Sequence, residues 1–260
     1  IFQELGDEKG LAEARLCAGR ALLFSARIAE GEEMLQSALG WFRGVHDRKA
    51  TATALASLGY ARALQDDMPG ARSLLKEAAA LYEASGAVAR LPAVISLLAE
   101  AEFRAGDAEA AIEAAGRGLA AARSMNSRRN LANLLPNMAA YLTSLGRYED
   151  AEPYAREALG FAREEQAETN VAFIVQHLAA IVALQGAHTA EDHARAARLL
   201  GFVDARLVAL DASREYTEQR EYEAALEALR RALGAQSLAD LMAEGNIWDE
   251  ERAVAEALRH

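Results

Sequence analysis

Small and apolar residues recur along this chain with a period far longer than a helical turn. Gly19, Gly59, Ala99, Ala139 and Ala179 are separated by four steps of 40 residues. A second small position, twelve further on, falls at Gly31, Ala71, Ala111 and Ala151, and a third at Ala38, Ala78, Gly118 and Ala158. A fixed period of this length marks a stacked array, in which each unit buries its apolar face against its neighbours. The fullest copy, Leu145-Gly146-Arg147-Tyr148-Glu149-Asp150-Ala151 followed by Ala155, Ala158 and Leu159, shows the local logic. Gly146 permits a tight turn, and Ala151, Ala155 and Ala158, four and three apart, share one face of the helix that follows. Alanine on that face lets two helix axes approach closely.

One period therefore holds a hairpin of two helices, each of roughly 17 residues, and five hairpins account for residues 7 to about 208. Asp67 ahead of Pro69 and Asp107 after Gly106 read as N-caps, while Gly86 and Gly106 close the helices before them. The fifth copy carries about three extra residues between Gly186 and Glu191, so Ala194 stands where residue 191 is expected, an inexpensive insertion at a hairpin tip. Pro136 falls inside the first helix of the fourth hairpin, where a kink or a freed carbonyl is expected.

Composition agrees with an all-α chain. Of 260 residues 52% are hydrophobic but only 6% aromatic, alanine alone supplies roughly a quarter, and there are four prolines, too few for a β-sandwich or a proline-rich linker. Twenty-eight Lys and Arg against 39 Asp and Glu give a net charge of −11, which disfavours general binding to nucleic-acid phosphates. A single cysteine excludes a disulfide framework and thiolate zinc clusters. With no apolar run of membrane-spanning length and no signal-peptide pattern at Ile1-Phe2-Gln3-Glu4, a reducing cytoplasmic setting is expected.

The two ends depart from the ladder. Residues 1–6 align by one period with 41–46 and by two with 81–86, as the end of a second helix from a truncated preceding repeat; the alternative is a short natural first helix. From about residue 209 to 260 a different pattern begins, with Tyr222, Leu226, Leu229 and Leu233 spaced four, three and four. Gly234 ends that helix, Ser237 can cap a short one reaching Gly245, and Asp249-Glu250-Glu251 begin a last one through Leu258. This stretch holds twelve acidic residues and six arginines, and reads as a helical cap with a solvated acidic face.

Leu58-Gly59, Gly106-Asp107 and, above all, Gly146-x-Tyr148-x-x-Ala151-x-x-x-Ala155-x-x-Ala158-Leu159 resemble tetratricopeptide repeats. The usual repeat is 34 residues long; the 40-residue period borders the HEAT range, and long tetratricopeptide hairpins fit the small-residue ladder better. The resemblance implies a right-handed α-solenoid whose first helices line a concave, partner-binding face. A narrower resemblance rests on Arg198-Leu199-Leu200-Gly201 with Asp204-Ala205, Tyr222-Glu223-x-Ala225-Leu226, Ala243-Glu244-Gly245 and Glu250-Glu251-x-Ala253-Val254. These are similar to the end of the helical-repeat region in large bacterial signalling ATPases and transcriptional regulators. That likeness implies a sensor or regulatory arm; Asp211-Ala212-Ser213-Arg214 departs from it, standing where a proline-containing loop is usual. The alternative is a stand-alone scaffold, and a third reading is a direct nucleic-acid binder.

Catalytic signatures are absent: no phosphate-cradling Gly-x-x-x-x-Gly-Lys-Ser/Thr, no Gly-x-Ser-x-Gly, no His-Glu-x-x-His and no Cys-x-x-Cys occurs. No cofactor, metal or enzymatic activity is expected. His188 and His193 flank Glu191 and Asp192, but a five-residue spacing in a hairpin tip does not align ligands on one face. Cys17 is expected as a buried, inert thiol, and Trp41, Phe42, Tyr82 and Phe161 as packing residues between repeats. The expected partner is a protein or peptide held in the groove, with no nucleic acid or membrane. Its candidate contacts are Asn130, Asn133 and Asn137, with Gln176 and His177 one repeat later, since His177 is the 40-residue equivalent of Asn137. Amides carry donors and an acceptor and can pair with an extended backbone whatever its side chains. Amides near helix starts also serve simply as caps.

Overall fold

The computed structural model describes residues 6–186 and 189–259. Ten helices run from Glu8 to Ala209: α1 (Glu8–Phe24), α2 (Ile28–Gly44), α3 (Arg48–Leu64), α4 (Met68–Ala84), α5 (Leu91–Arg104), α6 (Ala108–Ser124), α7 (Arg128–Ser144), α8 (Tyr148–Glu164), α9 (Glu168–Leu184) and α10 (Ala190–Ala209). Three more follow, α11 (Tyr216–Leu233), α12 (Ala235–Gly245) and α13 (Glu250–Ala257), and no strand occurs among the described residues. The fold is an all-α array of helical hairpins. Residues 1–5, which carry most of the expected truncated helix end, and His188 of the hairpin-tip cluster lie outside the described residues.

The 40-residue period resolves into two equal halves. A residue with positive φ closes each connection at 6, 26, 46, 66, 86, 106, 126, 146 and 166, a beat of 20 residues. Gly6, Gly86, Gly106 and Gly146 take this left-handed conformation at little cost, whereas Ala26, His46, Asp66, Asn126 and Gln166 adopt it against side-chain sterics. The next residue is the N-cap of the following helix, except after Gly86, where a 3-10 turn over Val88–Arg90 precedes α5. Asp7, Asp47, Asp67 and Asp107 accept the backbone N–H three residues on, at 2.8, 2.9, 3.0 and 3.0 Å. Arg27 and Arg147, which offer no acceptor at that position, reach instead to Glu30 and Asp150 in the first turn.

The first of two compact units, through Asn126, contains α1–α6, and each of its helices packs mainly on its neighbours in the chain. Within its first hairpin the backbones nearly touch: a Cβ added to Gly19 would stand 2.9 Å from the Gly31 carbonyl oxygen, and one on Gly31 the same distance from that of Gly19. A Cβ on Gly59 would meet Leu75 at 2.7 Å. Between hairpins, Glu32 of α2 pairs with Arg62 of α3 at 3.1 Å, and one period later Arg72 of α4 pairs with Glu102 of α5 at 2.6 Å, the same two positions with their charges exchanged. Lys76 adds a second cation to the buried Glu102 at 2.8 Å. Stacking α2 directly on α5 would oppose Glu32 to Glu102, so this inversion disfavours skipping a hairpin. Phe42 packs with Ala12 and Ala38, and the Tyr82 hydroxyl meets Thr53 Oγ1 at 2.8 Å.

The second unit, from Ser127, contains α7–α13. Ala139, Ala151, Ala155, Ala158 and Ala179 are all buried, and α8 packs on α7 and α9 in sequence. α7 continues as helix through Pro136, and α8 through Pro153. At the far end α10 meets α12 even more closely than the helices of the first hairpin meet, since a Cβ on Gly201 would fall 2.0 Å from the Met242 carbonyl oxygen. α12 begins at Ala235, directly after Gly234, rather than at a Ser237 cap: Gly234, with φ of 81°, turns the chain sharply enough that both helices abut it.

Ala151→Leu should destabilise the second unit by ~1–3 kcal/mol, because added methylenes at a closed helix crossing force neighbours off their rotamers. Glu149→Leu, on the exposed side of the same helix, should be nearly neutral by thermal melting. The 20-residue beat yields a second expectation of opposite signs. Gly146→Ala should cost about 1 kcal/mol, and Gln166→Gly should gain a fraction of that, since only glycine holds the left-handed turn without strain; chemical denaturation of the two variants measures both.

Candidate functional site

The five candidate amide and imidazole residues lie on two helices that touch, α7 and α9. Asn133 is exposed and Asn137 half-buried, and among the described residues neither side chain has a hydrogen-bond partner within the chain. Asn130 is also half-buried, but its amide donates to Ser127 Oγ at 2.8 Å, so it holds the start of α7. One repeat later the surroundings change. Gln176 and His177 are 0% and 1% exposed.

What covers them is α11. Elsewhere in the array a first helix packs on its own hairpin partner and, across the hairpin boundary, on the second helix of the preceding hairpin, as α3 does on α2 and α9 on α8. α11 departs from that rule: it packs chiefly on α9, with smaller contacts to α10, α12 and α7, while α12 takes the close position against α10. The stripe it buries is Thr217, Glu221, Ala225 and Leu229, spaced by fours. Of the stripe expected from the sequence, Leu229 is buried, whereas Tyr222, Leu226 and Leu233 are half-buried, because the most buried position of the second turn is the Glu221 carboxylate and not an apolar group.

That carboxylate meets the candidate site. His177 Nδ1 lies 2.7 Å from Glu221 Oε2, and Gln176 Nε2 donates to the Glu218 carbonyl at 2.8 Å and lies 3.4 Å from Glu221. Arg214, just before α11, donates from Nε to Gln176 Oε1 at 2.6 Å and from Nη2 to Asp204 of α10 at 2.6 Å, with its guanidinium stacked 3.7 Å above the Tyr222 ring. The Tyr222 hydroxyl completes the network by donating to the other Asp204 oxygen at 2.6 Å. Glu218, Glu221 and Arg214 were not found from the sequence. One signal was available: α9 reads Val171-Ala172-Phe173-Ile174-Val175 and Leu178 to Leu184 with hardly a polar residue, the pattern of a helix buried on every side.

The network carries its own charge logic. Burial alone would lower the His177 pKa, but the Glu221 carboxylate against Nδ1 outweighs it and holds the imidazole above its ordinary value. Burial pushes the Glu218 carboxyl up as well, with His177 pulling the other way. The Tyr222 hydroxyl is raised by burial and by its bond to Asp204. His177 Nε2, Glu218 Oε2 and Glu221 Oε1 are buried with no hydrogen-bond partner among the described residues, so this contact satisfies its polar groups incompletely.

Elsewhere two expectations need revision or placement. Cys17 is exposed, not buried, because it sits two residues, about 200°, around the helix from the closely packed Gly19. His193 is half-buried at the start of α10, and Asp192 of the same cluster is engaged in a capping box with Thr189. Among the described residues no group of three or more His, Cys, Asp or Glu is arranged to hold a metal. No described helix is long and apolar enough to cross a membrane. Phe42 and Tyr82 are fully buried packing residues, Trp41 and Phe161 half-buried ones, and Arg128 stacks 4.9 Å over Phe161.

No family model and no curated protein matches the chain. Solved structures do. The nearly identical TPR-like repeats of a kinesin light chain from Podosopora anserina superpose with a TM-score of 0.61 at 15% identity, over 77% of this chain and 96% of that one. PilF of Pseudomonas aeruginosa gives 0.54 at 14% identity, over 91% and 98%, and BtubC (BKLC) from P. vanneervenii gives 0.55 at 18%, over 96% and 93%. At such identities the likeness establishes the fold, a tetratricopeptide-like helical repeat.

A folded-state pKa above the unfolded one means that the folded unit holds the proton more tightly. The His177 contribution to α11 docking is therefore fully present below the ordinary histidine value of 6.5 and is lost as pH rises through the higher folded value. Glu218, also raised, acts in the same direction, since its ionisation opposes burial. Hydrogen exchange of α11 amides, corrected for intrinsic rates, should show protection falling from pH 6 towards pH 9, and His177→Gln should flatten that dependence.

Proposed function

We propose that the chain is a protein-interaction module that holds a peptide or protein segment along the face carrying Asn133 and Asn137. The observation that supports this most is the pair of amides on α7, four residues apart and uncommitted within the chain, beside two further polar residues on α9. An extended segment laid there could exchange main-chain hydrogen bonds with both, each worth about 0.5–1.5 kcal/mol net. Asn130 contributes by fixing the helix start, and Gln176 and His177 join the surface where α11 is lifted away.

The setting of such a module has two readings. The similar solved structures bear the names of a kinesin light chain and PilF, not of signalling ATPases, and this favours a scaffold that assembles other proteins. The sensor or regulatory arm of a larger bacterial signalling ATPase or transcriptional regulator has a different support. The residues that carry that resemblance work together: Arg198 pairs with Glu244 at 2.7 Å, Gly201 and Gly245 make the closest crossing, and Asp204 accepts from Tyr222. A phosphate-cradling loop encoded within a few hundred residues before Ile1 would decide for the arm.

Asn133→Ala combined with Asn137→Ala should abolish detectable binding of the captured partner without lowering the melting temperature, while single variants weaken it several-fold. Uncharged pairing also predicts only a modest loss of affinity between low and high salt, where a nucleic acid would show a steep one. Titration of wild type and double variant at two salt concentrations checks both; unchanged affinity in the double variant would move the binding surface elsewhere.

A further inference from the structure

Among the contacts that hold the last five helices of the second unit together, the one beneath α11 is unlike the rest. The hairpins close on alanine and glycine, and α12 closes on α10 through Gly201 and Gly245. α13 is tied separately, by Arg163 to Glu251 at 3.0 Å and by Arg156 Nη1 to the Leu258 carbonyl at 3.0 Å. α11 rests on α9 through a polar set, Gln176, His177, Glu218 and Glu221, in which three buried atoms lack a partner among the described residues, and Tyr222 ties it to Asp204 of α10. It is flanked by the connection through Asp211, at φ of 51°, and by Gly234, at φ of 81°. Both its neighbours in the chain, α10 and α12, are anchored to each other without it.

We propose that α11 is an internal occupant of a helix-docking site on α7 and α9, and that the partner which replaces it is an acidic amphipathic helix of the same design. That design is legible in the occupant: a carboxylate reaching His177, a small residue four positions on, and a leucine four further, as in Glu221, Ala225 and Leu229. His177 and Gln176 supply buried donors that a carboxylate and a main-chain carbonyl in the first turn of the helix satisfy, and α7 and α9 supply the apolar floor. Tetratricopeptide-like hairpins stack their helices in chain order, so a helix displaced from the stacking position onto α9 also reaches α7, the helix that carries Asn133 and Asn137. The partner and α11 then exclude each other, and access to the site depends on releasing α11. This deepens the protein-binding reading and rests on it.

The probe is a fluorescent synthetic peptide of residues 214–233, titrated against the full chain and against the full chain carrying Glu221→Lys. The variant sets a second cation against His177 and should expel its own α11, so it should bind the peptide at least tenfold more tightly than wild type. Hydrogen exchange should show protection lost in α11 and retained in α7 to α10 and in α12. Glu221→Gln, which removes the charge at nearly constant size, should move both readouts the same way by a smaller factor. His177→Leu with Glu221→Leu should lock α11 and take peptide binding below the wild-type level. Three results overturn the proposal: α11 protection unchanged in both Glu221 variants, protection lost together from α9 to α12, or α11 released with no gain in peptide binding. These readouts use the chain's own helix, so they stand apart from the partner titration with the asparagine variants, whose failure would leave them unaffected.

Discussion

The close approach of two helix backbones at small residues is the contact on which everything else in this chain depends. Where Gly19 faces Gly31 there is no room for a single additional carbon, and the equivalent positions one, two and three periods on are occupied by nothing larger than alanine. Such a contact repeats only if both helices have equal length and their turns equal geometry. The beat of left-handed residues every 20 positions supplies that. It holds even where Ala26, His46 or Gln166 must adopt the conformation without glycine's freedom, which shows that tertiary packing overrides local preference at the turns.

This is why so much of the fold could be read before any coordinate was known. A ladder of small residues is a direct imprint of helix proximity, and Asp67, Asp107, Gly86 and Gly146 mark ends by mechanisms that act within a few residues. Readings failed where the deciding neighbour is distant in sequence. Cys17 sits among apolar residues yet on the open side of α1, and only the identity of the packed face settles that. α12 begins at Ala235, directly after Gly234, rather than at a Ser237 cap because the close crossing with α10 requires it to.

The candidate site divides along the same line. Asn133 and Asn137 were legible as a surface pair because spacing by four is a local property of a helix. Their counterparts Gln176 and His177 carry the same phase but lie beneath a helix 40 residues further on, and Glu221, the group that meets them, stands in a stretch whose apolar pattern points to a different stripe. The one local sign was the all-round apolar character of α9, which calls for a cover without naming it.

That cover differs in kind from the other contacts of its unit. Apolar crossings such as that of α7 with α8 gain their free energy from packing and lose it only if the helices separate bodily, so they change little with pH or competing ligands. A buried carboxylate against an imidazole is different: its attraction is offset by the cost of taking both groups out of water, and three unpartnered polar atoms add to that cost. Specificity is high, because removing either partner strands the other, while net stability is low. A contact with that balance locates a helix accurately without holding it tightly. In this chain it falls at the helix that leaves the stacking order to lie on α9, in reach of α7, which carries the free amides.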